Sequence, residues 1–263
     1  MSLAVCSLAS GSSGNCYLVQ SNNASVLVDA GISKKQIEER LNSLTLNVSD
    51  IDAVLLTHEH SDHIKGLKIL MRDSIPELYT NPKTAAALEI ECDPERLRLF
   101  NTGDTFTIKD ITVRSFCVSH DAADPCGYAF ECEGKKLAIV TDTGYVTDDA
   151  FSNMKGADIL VLESNHDENI LKMGRYPWFL KKRILSDEGH LSNESAANAV
   201  ARLLEQTGRA PKKLLLAHLS KENNFPEMAL CTMQNILEER GLLDRTMSIE
   251  ILRRDVQSSR FIV

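Results

Sequence analysis

The segment that most constrains the fold of this chain is a cluster of histidines at the end of an apolar run. Residues Ala53–Leu56 have the length of a buried strand, and the cluster His58–His63 begins two residues later. The cluster holds four potential metal ligands within six residues. Positions i and i+2 of an extended segment point the same way, so His58 and His60 can bind one ion. A strand with this ending requires neighbouring elements that complete a metal site.

Asp62 and His63 stand where the chain enters a helix-like apolar pattern, predicted for Ile64–Arg72. From there they can face a second ion, so the segment predicts two metal positions. The alternative is a solvated polar loop with surplus histidines. All seven histidines of the chain lie in or beside motifs that suit one site, which favours metal binding.

The composition is that of a globular protein, with 43% hydrophobic and 25% charged residues among 263. This length suits one α/β domain, and the chain shows no linker, repeat or low-complexity tract, so we predict a single domain over residues 1–263. The net charge of −8 argues mildly against nonspecific binding of nucleic acid, which usually requires a basic surface. Bound divalent cations would make the active face less acidic than this average.

Cysteine use and hydropathy predict a reducing, cytoplasmic setting. The seven cysteines are odd in number and form no C-x-x-C pair, which argues against a disulfide framework and a structural zinc knuckle. The start of the chain shows no secretion signal, and no apolar run approaches membrane-spanning length. We therefore expect no membrane partner, while the oligomeric state stays open.

Apolar strands alternate with amphipathic helices along the whole chain, and two pairs of strands have the spacing of hairpins. The predicted strands are Ser25–Val28, Asp52–Leu56, Thr105–Lys109, Ile111–Ser119, Tyr128–Cys132, Lys136–Thr141, Ile159–Leu162, Leu214–Ala217 and Ser248–Leu252. The predicted helices are Lys35–Leu44, Lys83–Ile90, the segment from the cap Ser192 to about Thr207, and Glu227–Arg240. This order predicts an α/β (α+β) fold in which mixed sheets pack between helices, not a purely parallel doubly wound sheet.

Single ionisable residues recur directly after predicted strands: His120, Asp142, Glu163 and His218. One such residue is more often a turn or cap residue than a ligand. Together with the histidine cluster they form a much stronger pattern, because side chains at the ends of neighbouring strands converge. We therefore predict that these residues complete the metal site.

These motifs resemble those of the metallo-β-lactamase superfamily over essentially the whole chain. More narrowly, they are similar to the YycJ (WalJ) group, which is related to the RNase Z and RNase J nucleases. The resemblance is carried by short motifs, namely Ser10–Cys16, Asp29–Gly31, His58–Gly66, Ser119–Asp121, Thr141–Gly144, Glu163–Asp167, Gly189–Ser192 and His218–Ser220.

The resemblance implies a four-layer αββα sandwich with a two-metal site at one edge. Asp142 would bridge the two ions, and the ligands would divide into His58, His60 and His120 for the first metal and Asp62, His63 and His218 for the second. Imidazole and carboxylate ligands without thiolate suit Zn, Mn or Fe. Two such ions can hold a shared hydroxide and clamp a phosphodiester.

Departures from relatives within the superfamily narrow the chemistry. His60 stands where flavodiiron oxidoreductases have a glutamate, which counts against redox chemistry. Asp142 stands where the lactamases have a metal-binding cysteine, which counts against β-lactam hydrolysis. The chain has neither the extra domain of RNase J-type enzymes nor room for the exosite arm of RNase Z enzymes, which disfavours transfer-RNA processing.

Glu163 and His190 match a glutamate and a histidine that RNase Z-like enzymes pair. A histidinium held by a carboxylate can protonate the leaving oxygen or stabilise charge on phosphorus. We predict Asp62, Glu163 and His190 as catalytic residues. The alternative for the pair is a buried structural contact. His166 either contacts phosphate or supports its loop.

Two other segments are candidates for substrate binding. The small-residue loop Ser10–Asn15 either cradles a phosphate with its amides, through Ser12, Ser13 and Asn15, or is a tight turn; both interpretations stay open. The segment 172–183 is the only clearly basic one and contains the only tryptophan. Positive charges interleaved with aromatic residues bind phosphates and stack bases, so we predict that it contacts nucleic acid through Lys181, Lys182 and Arg183. The alternative is a surface helical turn.

The sequence thus predicts a metal-dependent phosphodiesterase that acts on nucleic acid, in particular an exonuclease on DNA that uses a dinuclear-metal hydroxide. A small-molecule hydrolase of the same fold, acting on a thioester, lactone or cyclic phosphodiester, is the first alternative. A non-enzymatic metal-binding regulator is the second, although a complete ligand set argues against it.

Overall fold

The computed structural model describes residues 3–73, 76–88, 93–244 and 246–263. Among them, two β-sheets of seven strands each form the centre of the molecule. The strands of the first sheet, in spatial order, are β14 (Phe261–Ile262), β1 (Ala4–Ala9), β2 (Cys16–Gln20), β3 (Ser25–Val28), β4 (Ala53–Leu55), β5 (Glu77–Thr80) and β6 (Leu97–Leu99). Those of the second are β13 (Ser248–Ile251), β12 (Lys213–Ala217), β11 (Ile159–Glu163), β10 (Lys135–Val140), β9 (Cys126–Cys132), β8 (Ile111–Cys117) and β7 (Thr105–Ile108).

The helices of the described residues connect the strands and cover the outer faces of the sheets. They are α1 (Lys34–Ser43), α2 (Ser61–Ile64), α3 (Leu67–Asp73), α4 (Pro82–Ala87), α5 (Asp148–Met154), α6 (Glu168–Met173), α7 (Trp178–Ile184), α8 (Asn193–Thr207) and α9 (Pro226–Glu239). A short 3-10 turn spans Val48–Asp50.

Both sheets are mixed, with three antiparallel pairings followed by three parallel ones. Antiparallel pairing joins β14, β1, β2 and β3 in the first sheet, and β7, β8, β9 and β10 in the second. Parallel pairing joins β3 to β6 in the first and β10 to β13 in the second. The carboxyl ends of the parallel strands therefore converge at one edge of each sheet, which is where the candidate ligands follow.

Three groups of buried apolar side chains separate four layers. The central group lies between the sheets and includes Tyr17, Tyr128 and Leu215. A second group packs α5, α8 and α9 on the outer face of the second sheet. A third packs α1 and α3 on the outer face of the first sheet. The predicted αββα sandwich is confirmed, because each sheet buries one face against the other sheet and one against helices.

The predicted helix over Ile64–Arg72 is wrong in one respect, because the structure divides it into α2 and α3. The break falls at Gly66, whose amide donates to the carbonyl of Ala30 at 2.8 Å. A Cβ on Gly66 would lie 2.0 Å from the carbonyl oxygen of Ile32, so only glycine permits this approach. The break turns α2 and its ligands toward the strand ends.

Most other predicted elements are confirmed within one or two residues. The helix from Ser192 has the expected side-chain cap, and it ends at Gly208 with φ +60°. The prediction omitted several short elements, namely β2, β5, β6, β14, α5, α6 and α7. The helix predicted for Lys83–Ile90 ends at Ala87, and its last two predicted residues lie outside the described part of the chain. Within that part, no helix combines the length and the apolar character that crossing a bilayer requires.

Candidate metal centre

The candidate ligands reach one another because strands of both sheets end at the same place. The cluster that begins with His58 follows β4, His120 follows β8, Asp142 follows β10 and His218 follows β12. Asp142 and His218 have φ of 55° and 56°, in the left-handed region that few non-glycine residues adopt. Such backbone conformations cost energy and persist where the surroundings enforce them, often at functional sites.

Three histidines form one side of the centre, which we call the histidine half: His58, His60 and His120. One nitrogen of each ring lies within 4.8 Å of the others, and His120 Nε2 is 3.2 Å from His60 Nδ1. The opposite nitrogens of two rings contact neutral oxygen atoms. His58 Nδ1 is 2.9 Å from the hydroxyl of Thr57, and His120 Nδ1 is 3.0 Å from the carbonyl of Gly189. These contacts leave Nε2 of both rings facing the centre.

The other side, which we call the acidic half, consists of Asp62, His63 and His218. Asp62 Oδ2 lies 3.6 Å from His63 Nε2 and 3.7 Å from His218 Nε2. The outer nitrogens of these rings contact carboxylates: His63 Nδ1 is 2.8 Å from Asp29 Oδ2, and His218 Nδ1 is 2.8 Å from Glu163 Oε1. Carboxylate–histidine pairs of this kind orient metal ligands and make them more basic.

Asp142 lies between the two halves. Its Oδ2 is 3.4 Å from His63 Nε2, and its Oδ1 is 3.2 Å from His218 Nδ1. Asp142 also shares a cluster of ligand atoms with His58 and His63. This position suits the bridging role that the resemblance implies.

The donor set fits divalent cations. Three buried atoms of the centre, His58 Nε2, Asp142 Oδ2 and His218 Nε2, have no hydrogen-bond partner within the described residues. A buried polar atom without a partner costs free energy that the rest of the fold must supply. Imidazole nitrogen and carboxylate oxygen are ligands that Zn, Mn and Fe share, so a cation would satisfy all three atoms.

The two halves impose opposite pKa shifts on the same type of side chain. Burial, together with the neighbouring His63, holds the pKa of His58 well below its ordinary value, and burial also lowers the pKa of His120. Burial acts in the same direction on His63 and His218, but neighbouring carboxylates outweigh it. The charge of Asp142 is the largest opposing cause in both, and the pKa of His218 rises to about 10.

Glu163 is fully buried behind the centre and makes hydrogen bonds with both carboxylate oxygens. Its Oε1 accepts from His190 Nδ1 at 2.9 Å as well as from His218, and its Oε2 accepts from the amides of Thr143 and Leu191. Burial by itself raises the pKa of Glu163, but the charge and hydrogen bonds of the two histidines lower it to about 2. Glu163 thus remains ionised and links His190 to the acidic half.

His190 borders the cavity above the ligands, together with Asp62 and Ser12. Its ring centroid lies 5.0 Å from that of His120 and 5.2 Å from that of His218, so it stands over both halves. Because Nδ1 is bonded to Glu163, Nε2 is the nitrogen left for a ligand in the cavity.

Two amides of the loop Ser10–Asn15 bond within the loop and that of Asn15 donates to the carbonyl of Asp62, which favours the tight-turn interpretation. The amide of Gly14 donates to Gly11 O, and that of Gly11 donates to Asn15 Oδ1. Asn15 is fully buried, and its Nδ2 lies 3.1 Å from His63 Nε2, so it braces the acidic half. Ser12 and Ser13 are exposed, and Ser12 borders the cavity.

The structure separates the three basic residues predicted to bind substrate. Lys181 is buried, and its Nζ donates to the carbonyls of Lys172 and Gly174 at 2.8 and 2.7 Å, so its ammonium joins α6 to α7 instead of facing the cavity. Lys182 is exposed, with Nζ 5.7 Å from the ring centre of Trp178. Arg183 borders the cavity, where it is paired with Asp121 at 2.8 Å.

His166 is not exposed to a substrate. It is 1% exposed, and neither ring nitrogen has a hydrogen-bond partner within the described residues. Burial lowers its pKa to about 4, so the ring is neutral near pH 7. His166 also forms an isolated bridge with Ser192, which agrees with the loop-supporting alternative.

Apart from Glu163, the sequence analysis did not predict the groups that orient the ligands. Asp29, at φ 61° directly after β3, bonds His63 and accepts from the amide and hydroxyl of Thr57. Thr57 in turn contacts His58, and the carbonyl of Gly189 contacts His120. The motif that contains Asp29 was visible in the sequence, whereas a backbone carbonyl leaves no residue-type signal.

Comparisons with known proteins agree with this geometry. A model of the β-lactamase superfamily domain matches residues 24–219. The exodeoxyribonuclease YycJ of Bacillus anthracis is 47% identical over 237 residues, which cover 89% of this chain and 89% of that protein. The exodeoxyribonuclease WalJ of Streptococcus pneumoniae is 46% identical over 240 residues, covering 89% and 88%. The metallo-β-lactamase fold protein YhfI of Bacillus subtilis has a TM-score of 0.71 over 98% of this chain and 99% of that one, at 17% identity, which shows the fold alone.

The αββα sandwich and the converging histidine and aspartate ligands are those of a metal-dependent hydrolase. The chain belongs to the metallo-β-lactamase superfamily and, within it, to the group of YycJ and WalJ. The family predicted from the motifs is therefore confirmed.

Proposed function

We propose that this protein is an exonuclease that hydrolyses DNA with two divalent cations of the Zn, Mn or Fe type. One observation carries the proposal: two ligand clusters converge under His190, and buried atoms of both clusters lack partners that cations would supply. The substrate class is supported by two relatives that are named exodeoxyribonucleases and that match along most of their length.

We infer that His58, His60 and His120 hold one cation and that Asp62, His63 and His218 hold the other, with Asp142 shared between them. When bound, the two cations supply a water of lowered pKa and neutralise charge on the phosphodiester. The side chain of Asp62 is 24% exposed, so it is placed to accept a proton from the attacking water as well as to bind metal.

His190 is placed to give a proton to the leaving oxygen. Glu163 holds its Nδ1 and directs Nε2 toward the cavity. A positioned general acid contributes about 10²–10⁴-fold to rate. Glu163 itself is fully buried and reaches no substrate, so we assign it as a positioning residue.

The small-molecule alternative has less support, because two relatives that match along most of their length are named exodeoxyribonucleases. The non-enzymatic alternative conflicts with the complete ligand set and with His190 above it. For location we propose the cytoplasm, since the six cysteines among the described residues are unpaired thiols.

The test is digestion of single-stranded DNA, duplex DNA and RNA by manganese-loaded protein, beside a small phosphodiester, bis(p-nitrophenyl) phosphate. We expect stepwise shortening of DNA that is lost in Asp62→Asn. His190→Gln lowers kcat by about 10²–10⁴-fold while the metal content stays unchanged. Asp148→Asn, at a side chain that is 97% exposed on α5, is the matched control and keeps full activity.

Cleavage of RNA but not of DNA would show that the enzyme is a ribonuclease and would contradict the proposed DNA substrate. Hydrolysis of the small diester alone, with both metals bound, would contradict the nuclease proposal and restore the small-molecule alternative.

A further inference from the structure

Two further cavities lie beyond the metal centre, and neighbouring cavities share residues. Ser12, Arg183 and His190 line the cavity over the ligands and also a second cavity of about 140 Å³. Ser220 lines this second cavity and a third one of about 190 Å³, which includes the arginine pair Arg253–Arg254. The shared residues place the three cavities in series from the metal ligands to the loop that follows β13, and we call this series the groove.

The shape of the groove suits an extended chain. Each cavity is smaller than the pockets that usually hold one compact molecule. The second cavity combines the half-buried Tyr176 and Leu180 with the polar side chains of Asn165 and Ser12. Aromatic rings and polar groups in sequence are what a single-stranded nucleic acid contacts through its bases and backbone.

The far end of the groove carries guanidinium groups that the protein itself does not engage. Within the described residues, neither Arg253 nor Arg254 has an ion-pair partner, and Nε of Arg254 is buried without a hydrogen-bond partner. Asp255 lines the same cavity and offsets one of the two charges. By contrast, Arg183 near the metals is already paired with Asp121. A free guanidinium is well suited to bind phosphate through two parallel hydrogen bonds.

Arg254 lies against the loop that borders the metal centre. Its Cγ and Nε are 3.1 and 3.3 Å from the point that a Cβ on Gly11 would occupy. The same cavity includes Phe225 and Pro226 at the start of α9, a helix of 14 residues whose first turn has no side-chain cap. The first turn of that helix also carries Glu227, which offsets the positive helix end, so the arginines supply the positive charge of this cavity.

We propose that Arg253 and Arg254 form a phosphate-binding subsite for the DNA strand on the leaving-group side of the scissile phosphate. This inference rests on the proposed function. His190 stands where the first cavity meets the second, and a group that protonates the leaving oxygen must lie on the side of that oxygen. The strand that carries the leaving oxygen therefore enters the second cavity and continues to the arginine pair.

The decisive variant is the double charge reversal Arg253→Glu, Arg254→Glu. Its matched control is Lys35→Glu, Arg114→Glu, which changes the net charge equally: Lys35 is 84% exposed on α1, and Arg114 lines a separate cavity that shares no residue with the groove. We expect the groove variant to lose about tenfold or more in kcat/KM on a single-stranded 20-mer. The slope of log KM against log salt should decrease by about 1.4, since each lost phosphate contact on a single strand contributes about 0.7.

Hydrolysis of bis(p-nitrophenyl) phosphate should stay within twofold in both variants, because neither arginine lines the cavity over the metal ligands. In the wild-type protein KM should fall as the oligonucleotide is lengthened and then level off, whereas in the groove variant this gain should be absent. Equal loss on the small diester and on DNA would show that the arginines support the fold, and it would overturn the subsite; so would unchanged DNA kinetics.

A binding measurement distinguishes failure of this inference from failure of the proposed function. Fluorescence anisotropy of a labelled 20-mer on metal-loaded His190→Gln needs no turnover. If wild-type protein fails to cleave DNA but the arginine variant still weakens binding tenfold relative to the control, the proposed function fails and the subsite stands. If the arginine variant and its control bind the 20-mer equally well, the proposed subsite is overturned. Arg253→Gln, Arg254→Gln gives the same contrast should the charge reversal unfold the protein.

Discussion

The two halves of the metal centre contain similar ligands in different electrostatic surroundings. In the histidine half, the outer ring nitrogens of His58 and His120 contact the neutral oxygens of Thr57 and Gly189. In the acidic half, the outer ring nitrogens contact the carboxylates of Asp29 and Glu163. Asp62 and Asp142 lie beside the same rings. The difference teaches that ligand type alone does not define a site. Burial favours the neutral form of His58 and His120, whereas neighbouring carboxylates favour the protonated form of His63 and His218, which a bound cation would replace.

The largest effect is expected where the halves meet. Asp142→Ala removes the carboxylate that both halves share, and it leaves His63 and His218 without their strongest charge partner. We expect loss of at least one of the two proposed metals and a fall in diesterase activity of more than about 100-fold, beyond the usual effect of an outer partner. Metal analysis and DNA digestion measure both, with Asp148→Asn as the control. Full metal content in Asp142→Ala would exclude the bridging role.

A second comparison tests the outer partners separately. Asp29→Asn keeps the shape but removes the carboxylate charge that His63 contacts. Thr57→Val removes the neutral hydroxyl that contacts His58 and that also donates to Asp29, while it leaves the charge of Asp29 in place. We expect Asp29→Asn to weaken binding of one metal by about 10–100-fold and Thr57→Val to weaken the other by less. Calorimetric titration with Mn²⁺ or Zn²⁺ resolves the two binding steps. Equal effects in both variants would mean that the charge of the outer partner does not distinguish the halves.

The pKa shifts predict how the stability of the metal-free protein depends on pH. The pKa of His218 is about 10 in the fold, above an ordinary value of about 6.5, so its contribution is complete below about pH 6.5 and is lost as pH rises toward 10. The pKa of His58 is shifted downward, so its unfavourable effect appears as pH falls below about 6.5. We therefore expect the melting temperature of the metal-free protein to decrease on both sides of about pH 6.5.

Two variants test which histidine causes each side of that pH profile. His218→Gln should flatten the alkaline limb and His58→Gln the acidic limb, measured by thermal unfolding in EDTA from pH 5 to 10. Saturating metal should also flatten the alkaline limb, since it replaces the protons. An alkaline limb that persists unchanged in His218→Gln would mean that groups elsewhere control it.

The smallest effect concerns Asp121, a carboxylate at the outer side of the histidine half. Asp121 Oδ1 lies 3.5 Å from His120 Nε2, and its charge is paired with Arg183. Arg183→Gln leaves the charge of Asp121 unpaired. This should raise the pKa of His120 and make the histidine half resemble the acidic half. We expect a severalfold rise in KM for DNA at most, because pairs this exposed contribute little. Histidine NMR shifts of the metal-free variant report the pKa change, and an unmoved His120 signal would rule it out.

The sequence predicted much of the fold because its signals are local. Hydrophobic periodicity identified β4, β10, β11 and β12 close to their observed ends, and Ser192 with Gly208 marked both ends of α8. Short strands such as β6 and β14 were missed, since three or two residues carry too little periodicity. The assignment of residues 1–263 to a single domain remains a prediction.

The candidate site also has residues that the sequence predicted and contacts that it did not. The ligand cluster after β4 was recognisable because its residues are close in sequence, and His120, Asp142 and His218 were recognisable because each follows a strand. The charge-based prediction for Lys181 did not hold, because residue type does not reveal that its ammonium is bound by two carbonyls of the preceding turn.

The sequence by itself determined the donor atoms, their order along the chain and the strands that carry them, because these are properties of residue type and spacing. Only the tertiary structure decided which histidines stand against carboxylates and which against neutral oxygens. That distinction depends on contacts such as the one between His218 and Glu163, 55 residues apart, and on the backbone carbonyl of Gly189. It lowers the pKa of His58 and His120 and raises that of His63 and His218, because burial acts on all four rings and carboxylate charge outweighs it only at the last two.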